Sequence, residues 1–387
     1  MLNEMRSHLV EKLLPFWAGL KDDENGGYFG QYTFDLQVNK HAEKGCILNS
    51  RILWFFSKAY LLLGDKSILP YATHAYKSMM EKFVDDDFLG VYWSITAEGT
   101  PLDTTKHTYN QAFSIYALSA YYQATKDEKA LEKAFAIYHL IEEKCKDENG
   151  YLESFNREFL PESNEKLSEN GVVAHRTMNT LLHVIEAYGG LYEVTRDGEV
   201  GASITKCLHI FKDKMYNKAE CRQEVFFDSD YHSLLDLCSY GHDIESCWLL
   251  EWAASLLDDA PLFEEISAIS SQMAKHVYDN AFISDSLLNE CEDGVKDTTR
   301  VWWVQAEAVV GFLNEWQKNN AQRNYLDAAN RIWSFIKTYM VDSRPHSEWF
   351  WEVDATFAPT SKKDIVEPWK CPYHNGRMCM EIMKRLG

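Results

Sequence analysis

Two histidines set among charged residues at helical spacing give this chain its most informative chemical pattern. His242 lies in Ser239-Tyr240-Gly241-His242-Asp243-Ile244-Glu245 and His374 in Trp369-Lys370-Cys371-Pro372-Tyr373-His374-Asn375-Gly376-Arg377. Glu245 stands one turn beyond His242, close enough on a helix to accept its N–H and set its tautomer and basicity. A single His-x-x-Glu is more often a locally satisfied helix start than a catalytic pair. Ahead of His374, Pro372 fixes the approach of the chain, and Gly376 permits close backbone contact near the next helix start. A helix N-terminus disfavours the protonated imidazole, so His374 should stay neutral and able to take a proton. A packing cluster accounts for Tyr373 and Met378 but poorly for His374.

Other polar residues sit where long apolar runs begin. Asn179 and His183 are one turn apart and share a helix face, suited to a sugar-like oxygen or a developing oxyanion. A buried structural pair is almost as good an account of them. Arg51 precedes Ile52-Leu53-Trp54-Phe55-Phe56 and is costly to bury unless something anionic faces it. It serves an acidic neighbour or an oxyanion formed only during reaction. Tyr109 offers a hydrogen bond. Trp303 and Glu307 share a face, an indole for a pyranose ring and a carboxylate to hold hydroxyls or orient a histidine. Trp369 is a second stacking surface, although core packing is the commoner use of an indole.

Several chemistries lose support. The chain has no G-x-G-x-x-G after a strand, no P-loop, no H-E-x-x-H and no G-x-S-x-G, which disfavours nucleotide-dependent redox, P-loop chemistry and ordinary zinc hydrolysis. Glu245 with Glu307 would suffice as a glycosidase dyad, but that mechanism leaves two histidines idle. His242 with Glu245 alone supplies too few ligands for a metal, so no metal is expected. Proton transfer by imidazole ranks first.

The elements that must position these residues follow from a repeat. Near Arg51, Tyr109, Asn179, His242, Trp303 and His374, a polar or aromatic cluster runs into a nearly uncharged helical segment, every sixty to seventy residues or so. Residues 111–122 (QAFSIYALSAYY) carry no charge, and 301–313 (VWWVQAEAVVGFL) carry one. Helices apolar all round are covered on both sides. Between them lie amphipathic segments at about 4–19, 67–84, 128–146, 198–215, 260–278 and 322–341, each with one wet face. Pro15 should bend or shorten the first. Turn signals such as Asp22-Asp23-Glu24-Asn25-Gly26-Gly27-Tyr28, Asp85-Asp86-Asp87-Phe88-Leu89-Gly90 and Asp147-Glu148-Asn149-Gly150-Tyr151 predict short hairpins at the mouth. The expected architecture is all-α: an (α/α)6 barrel of six inner and six outer helices, with residues 1–387 as a single domain.

With 387 residues, 46% hydrophobic, the chain can bury a large core. A formal charge of -20 argues against nucleic acid and anionic membranes as partners. Nine scattered Cys without a C-x-x-C pair read as reduced thiols. The N-terminal run lacks the basic-then-apolar order of a secretory signal, and no apolar run approaches the roughly 20 residues of a membrane span. A cytoplasmic protein is expected, with a monomer favoured.

Taken with Ser50-Arg51-Ile52-Leu53-Trp54-Phe55, Lys106-His107-Thr108-Tyr109-Asn110 and Arg300-Val301-Trp302-Trp303-Val304-Gln305-Ala306-Glu307, the two histidine motifs resemble the N-acylglucosamine 2-epimerase superfamily over essentially the whole chain. Within it, the resemblance is to members acting on disaccharides. It implies reversible inversion of C2 in the reducing-end glucose of β-1,4-linked disaccharides, cellobiose giving glucosylmannose and lactose giving epilactose, without a cofactor. It further implies that His242 and His374 form the acid/base pair. Arg51, Tyr109, Asn179, His183, Glu245, Trp303, Glu307 and Trp369 would line the site. An N-acylglucosamine 2-epimerase or a mannose (aldose–ketose) isomerase shares the same enediolate chemistry and stays open. A glycosidase on the same barrel, or a sugar-binding module without catalysis, is less consistent with two histidines beside an arginine.

Overall fold

A computed structural model describes residues 1–168 and 170–387. Six inner helices form a ring: Cys46–Leu63, Thr108–Thr125, Met178–Thr195, Tyr240–Ser255, Trp302–Lys318 and Tyr373–Leu386. Six outer helical runs shield them, at 2–19, 69–83, 128–144, 198–215, 260–281 and 323–340. This is the (α/α)6 barrel that the repeat predicts. Successive inner helices pack on one another, and the sixth closes the ring by packing on the first.

Local chemistry explains the alternation. Three inner helices end on a residue in the left-handed region, Gly64, Lys126 and Arg196, which satisfies a terminal carbonyl and turns the chain outward. After two of these, Asp127 and Asp197 cap the following outer helix through their side chains, filling the orphan N–H groups of the first turn. Four outer runs contain a π-helical stretch. The one at His8–Leu13 sits directly before Pro15, whose missing N–H breaks the ordinary ladder. The helix is widened ahead of the proline and continues past it as an ordinary α-helix to Gly19. Cys46–Leu63 has the length and apolarity of a membrane span, so the chain does hold one such run, but 72% of it is buried within the barrel. It is a core helix covered on both sides.

The mouth is held by six clasps. Lys44–Gly45 pairs with Ser94–Ile95, Lys106–His107 with Ser154–Phe155, and Arg176–Thr177 with Phe226–Phe227. Leu237–Ser239 pairs with Glu290–Glu292, and Arg300–Val301 with Glu352–Val353. In each, the strand just before one inner helix pairs with the loop leading to the next. The Tyr32–Val366 bridge closes the circle. The expected hairpins form at Lys21–Tyr28, Val84–Val91 and Lys146–Tyr151.

The turn aspartates of these hairpins also anchor the clasps. Asp22, Asp85 and Asp147 each accept backbone N–H bonds within their own turn. Each also pairs with a buried base beside an inner helix: Lys44 at 2.6 Å, Lys106 at 2.9 Å and Arg176 at 2.6 Å. Breaking such a pair strands a charge away from water. Lys44→Met should therefore lower stability by about 3–5 kcal/mol. Lys275→Ala, which removes an exposed partner of Asp279, should cost less than about 1 kcal/mol. Denaturant unfolding of the two variants measures the contrast.

Candidate active site

The inner-helix starts converge on one cavity of about 490 Å³. Arg51, Tyr109, Asn179, His183, His242, Glu245, Trp303, Trp369 and His374 all line it. Leu237 and Ser239 from the fourth clasp and Val301 from the fifth add to the wall. Glu307 departs from expectation. It lies behind the wall, 1% exposed, with Oε1 2.8 Å from His374 Nδ1. Sharing a helix face with Trp303 left it two uses, holding hydroxyls or orienting a histidine; it stands off the cavity lining and takes the second. Arg51 also differs in placement. It stands in the second turn of a helix that begins at Cys46, so its side chain enters the cavity from inside the ring.

The two principal imidazoles share one surface. The His242 ring packs on the Trp303 indole at 4.6 Å and the His374 ring at 5.4 Å. Gly241 makes this contact possible, since a Cβ there would meet the Trp303 ring at 2.5 Å. Gly376 plays the same part against Phe55, also at 2.5 Å.

The hydrogen-bond partners correct one reading. Glu245 does not hold His242; the His242 Nδ1 lies 2.8 Å from Ser239 Oγ. Glu245 is drawn instead to Arg377 and lies 3.8 Å from His374 Nδ1. One-turn spacing allowed the pair, but a buried carboxylate gains more from a guanidinium than from a neutral imidazole. The same spacing does produce a pair at His183, whose Nδ1 lies 2.9 Å from Glu186 Oε2.

Glu186 and Arg377, which sequence reasoning did not single out, join the charge network beside the site. Arg377 donates to Glu186 at 2.6 Å, to Glu307 at 2.7 Å and to Glu245. Tyr373, which looked like packing, donates to Glu186. The available signal was the recurrence of His-x-x-charge at His183/Glu186, His242/Glu245 and His374/Arg377.

Charge states follow from these contacts. Burial pushes Glu245 up to about 7, Glu307 adding to the rise and Arg377 opposing it. Burial also raises Glu307 against the pull of Arg377. For Glu186, burial is outweighed by Arg377, His183 and Tyr373, and the carboxyl is held at about 2. Burial lowers His242 to about 3, aided by His183. Burial and then the charges of Arg377 and Arg51 hold His374 well below the ordinary histidine range. Both imidazoles are neutral at neutral pH. Glu307 accepts from Arg377 on Oε1 and from the Trp248 indole on Oε2 at 3.0 Å. The hydrogen shared with His374 therefore belongs to Nδ1, and Nε2 is left with a lone pair for the cavity.

Arg51 supplies the complement. Buried to 2% exposure, it donates to Tyr109 Oη at 2.6 Å and lies over Phe113 and Tyr373. Among the described residues, no carboxylate lies within 4.0 Å of it. A desolvated guanidinium without a fixed anion is arranged for charge that appears transiently. Asn179 Oδ1 is likewise buried without a partner. Glu245, Glu307 and His374 offer ligand atoms within 4.8 Å of one another, but the carboxylate oxygens between them already accept from Arg377. A cation there would have to displace the guanidinium.

This geometry makes a test of the Trp303 platform direct. Gly241→Ala should move the indole and both imidazoles by a fraction of an ångström or more, lowering kcat/KM about 10²-fold. Steady-state kinetics beside a thermal melt checks that the loss exceeds any loss of folded protein.

Comparison with known proteins gives the family. Residues 27–375 match the model of the N-acylglucosamine 2-epimerase (GlcNAc 2-epimerase) family. The chain is 49% identical over 401 residues to a protein of Eubacterium cellulosolvens named cellobiose 2-epimerase, covering 99% of this chain and 98% of the other. Among solved structures, a sugar epimerase from a ruminal bacterium superposes with a TM-score of 0.98 at 44% identity, covering 100% of this chain and 99% of that one. The cellobiose 2-epimerase of Bacillus thermoamylovorans gives 0.96 at 44% identity, with 99% of each chain covered. The chain belongs to the N-acylglucosamine 2-epimerase family.

Proposed function

We propose that the chain is an isomerase that inverts C2 of the reducing-end glucose in β-1,4-linked disaccharides, with cellobiose and lactose as substrates. The observation that carries the reading is His374: a neutral imidazole, anchored through Nδ1 on Glu307, with Nε2 available in a cavity shared with His242 and an uncompensated Arg51. That arrangement suits a weakly acidic C–H whose removal leaves an oxyanion.

The C2 hydrogen becomes acidic only once the pyranose opens to an aldehyde. His242 assists opening by moving the proton between the O1 hydroxyl and the ring oxygen. His374 Nε2 then takes the C2 proton, and the electron pair of that C–H bond shifts into the C1–C2 bond as the carbonyl π electrons move onto O1. The resulting cis-enediolate is stabilised by Arg51, with Tyr109, Asn179 and His183 around it. His242, having taken a proton from solvent, delivers it to the opposite face of C2 as the electrons on O1 return to the carbonyl, which gives the epimer. His374 releases the abstracted proton to solvent, and ring closure completes the cycle. Both histidines start neutral, which lets either take a proton near neutral pH. Trp303 and Trp369 offer flat apolar faces for the sugar rings. The whole chain acts as one catalytic domain, and its nine free thiols suit a reducing cytoplasm.

Cellobiose incubated in heavy water and followed by NMR tests this. Deuterium should enter C2 of both epimers, with the disaccharide intact. His374→Ala should lower exchange about 10²–10⁴-fold without loss of fold. Release of glucose, or an epimer that keeps its original C2 hydrogen, would sink the proposal.

A further inference from the structure

At and behind the cavity wall, three carboxylates surround one guanidinium, and their charges do not balance. Glu186, Glu245 and Glu307 are each 1% exposed or less, and Arg377 is 1% exposed. None of the three that lie behind the wall (Glu186, Glu307 and Arg377) lines the cavity. Arg377 Nη1 donates to Glu186, while Nη2 donates to both Glu307 and Glu245. We propose that Arg377 and Glu186 are positioning residues that set, with opposite signs, the pH at which His374 becomes a base. The inference rests on the reading of His374 as the proton-abstracting group.

Three adjacent buried carboxylates with one cation cannot all stay ionised, so the cluster retains a proton near neutral pH. Glu245 is its natural holder, because its Oε2 is buried without a hydrogen-bond partner and Arg377 is shared with two other carboxylates. Arg377 thereby favours ionised Glu307, which must accept the Nδ1–H of His374. Remove Arg377, and Glu245 and Glu307 become like charges side by side. Glu307 then takes a proton at higher pH and ceases to accept. The imidazole also loses a nearby positive charge and holds its own proton to higher pH. Both effects raise the pH needed for the active base.

Glu186 acts the other way. Its charge raises both Glu245 and Glu307, so its removal lets both ionise at lower pH. The remaining groups that face His374 are Arg51 on the first inner helix, His183 on the third and His242 on the fourth. Arg51 and His242 keep their partners in either substitution; Glu186→Gln leaves His183 Nδ1 facing an amide in place of the carboxylate.

The experiment is the pH dependence of kcat/KM for cellobiose, which reports groups of the free enzyme. Arg377→Met should move the acid limb up by about one to three pH units. Arg377→Lys, which keeps the charge but loses the fork, should return the limb toward the wild-type position while kcat stays low. Glu186→Gln should move the limb down. A merely structural role lowers kcat or the melting temperature and leaves the limb in place. A limb unmoved in folded Arg377 and Glu186 variants, or moved in the same direction by Arg377→Met and Glu186→Gln, overturns the inference. If Arg377→Met does not fold, Glu186→Gln decides alone: a downward shift supports it, and no shift or an upward one overturns it. His374→Asn in parallel separates the two levels. Persistent C2 deuterium exchange in that variant refutes the base assignment itself. Exchange abolished there, with the limb fixed in the others, refutes only the positioning role.

Discussion

A single buried guanidinium among three carboxylates is the interaction on which the rest of the molecule depends. Desolvating such a cluster is expensive, and it is tolerated only where geometry satisfies most of its hydrogen bonds. A closed ring of helices provides that geometry. Arg377 comes from the sixth inner helix, Glu186 from the third, Glu245 from the fourth and Glu307 from the fifth. No two neighbours in sequence could bring these groups together. The ring must close before the cluster exists, and the cluster then fixes the rotation of four of the six helices about their axes.

The same constraint explains how a histidine base is kept neutral yet firmly held. His374 sits in front of the cluster, bonded to a carboxylate that is itself occupied by Arg377 and Trp248. A free carboxylate would raise the imidazole pKa and risk a protonated base. A carboxylate shared with a guanidinium holds the ring while giving up much of its charge. On the cavity side, Arg51 faces only hydroxyl, thiol and aromatic groups, so its charge is left for an intermediate. One arginine is consumed by the scaffold and the other is reserved for chemistry.

Periodicity made the barrel legible in the sequence. The outer runs fall within a few residues of their expected limits because amphipathic patterns end where capping aspartates and glycine-containing turns begin. Inner-helix starts were as clear from the second onward. The first begins five residues ahead of Arg51, since Cys46 to Ser50 are small or neutral and carry no boundary signal. Nine of the ten proposed site residues surround one cavity, because the inner-helix starts converge there. What sequence could not decide was partner choice within the ring. His-x-x-Glu spacing is present at both His183 and His242, yet only His183 keeps its glutamate, as Glu245 is captured by Arg377 from a helix 132 positions away. Glu307 holds a histidine, one of its two expected uses, but leaves the cavity lining for the same reason: which side of an apolar helix meets the cavity depends on neighbours that the pattern does not reveal.

The claim at the centre of this account is that His374 is a neutral imidazole with hydrogen on Nδ1 and a lone pair on Nε2. Nitrogen-15 NMR of the histidine side chains reads this directly, with His374→Asn assigning the signal. The account predicts a neutral Nδ1–H tautomer through neutral pH, unchanged by mild acidification. A doubly protonated His374 at neutral pH, or the opposite tautomer, would contradict it.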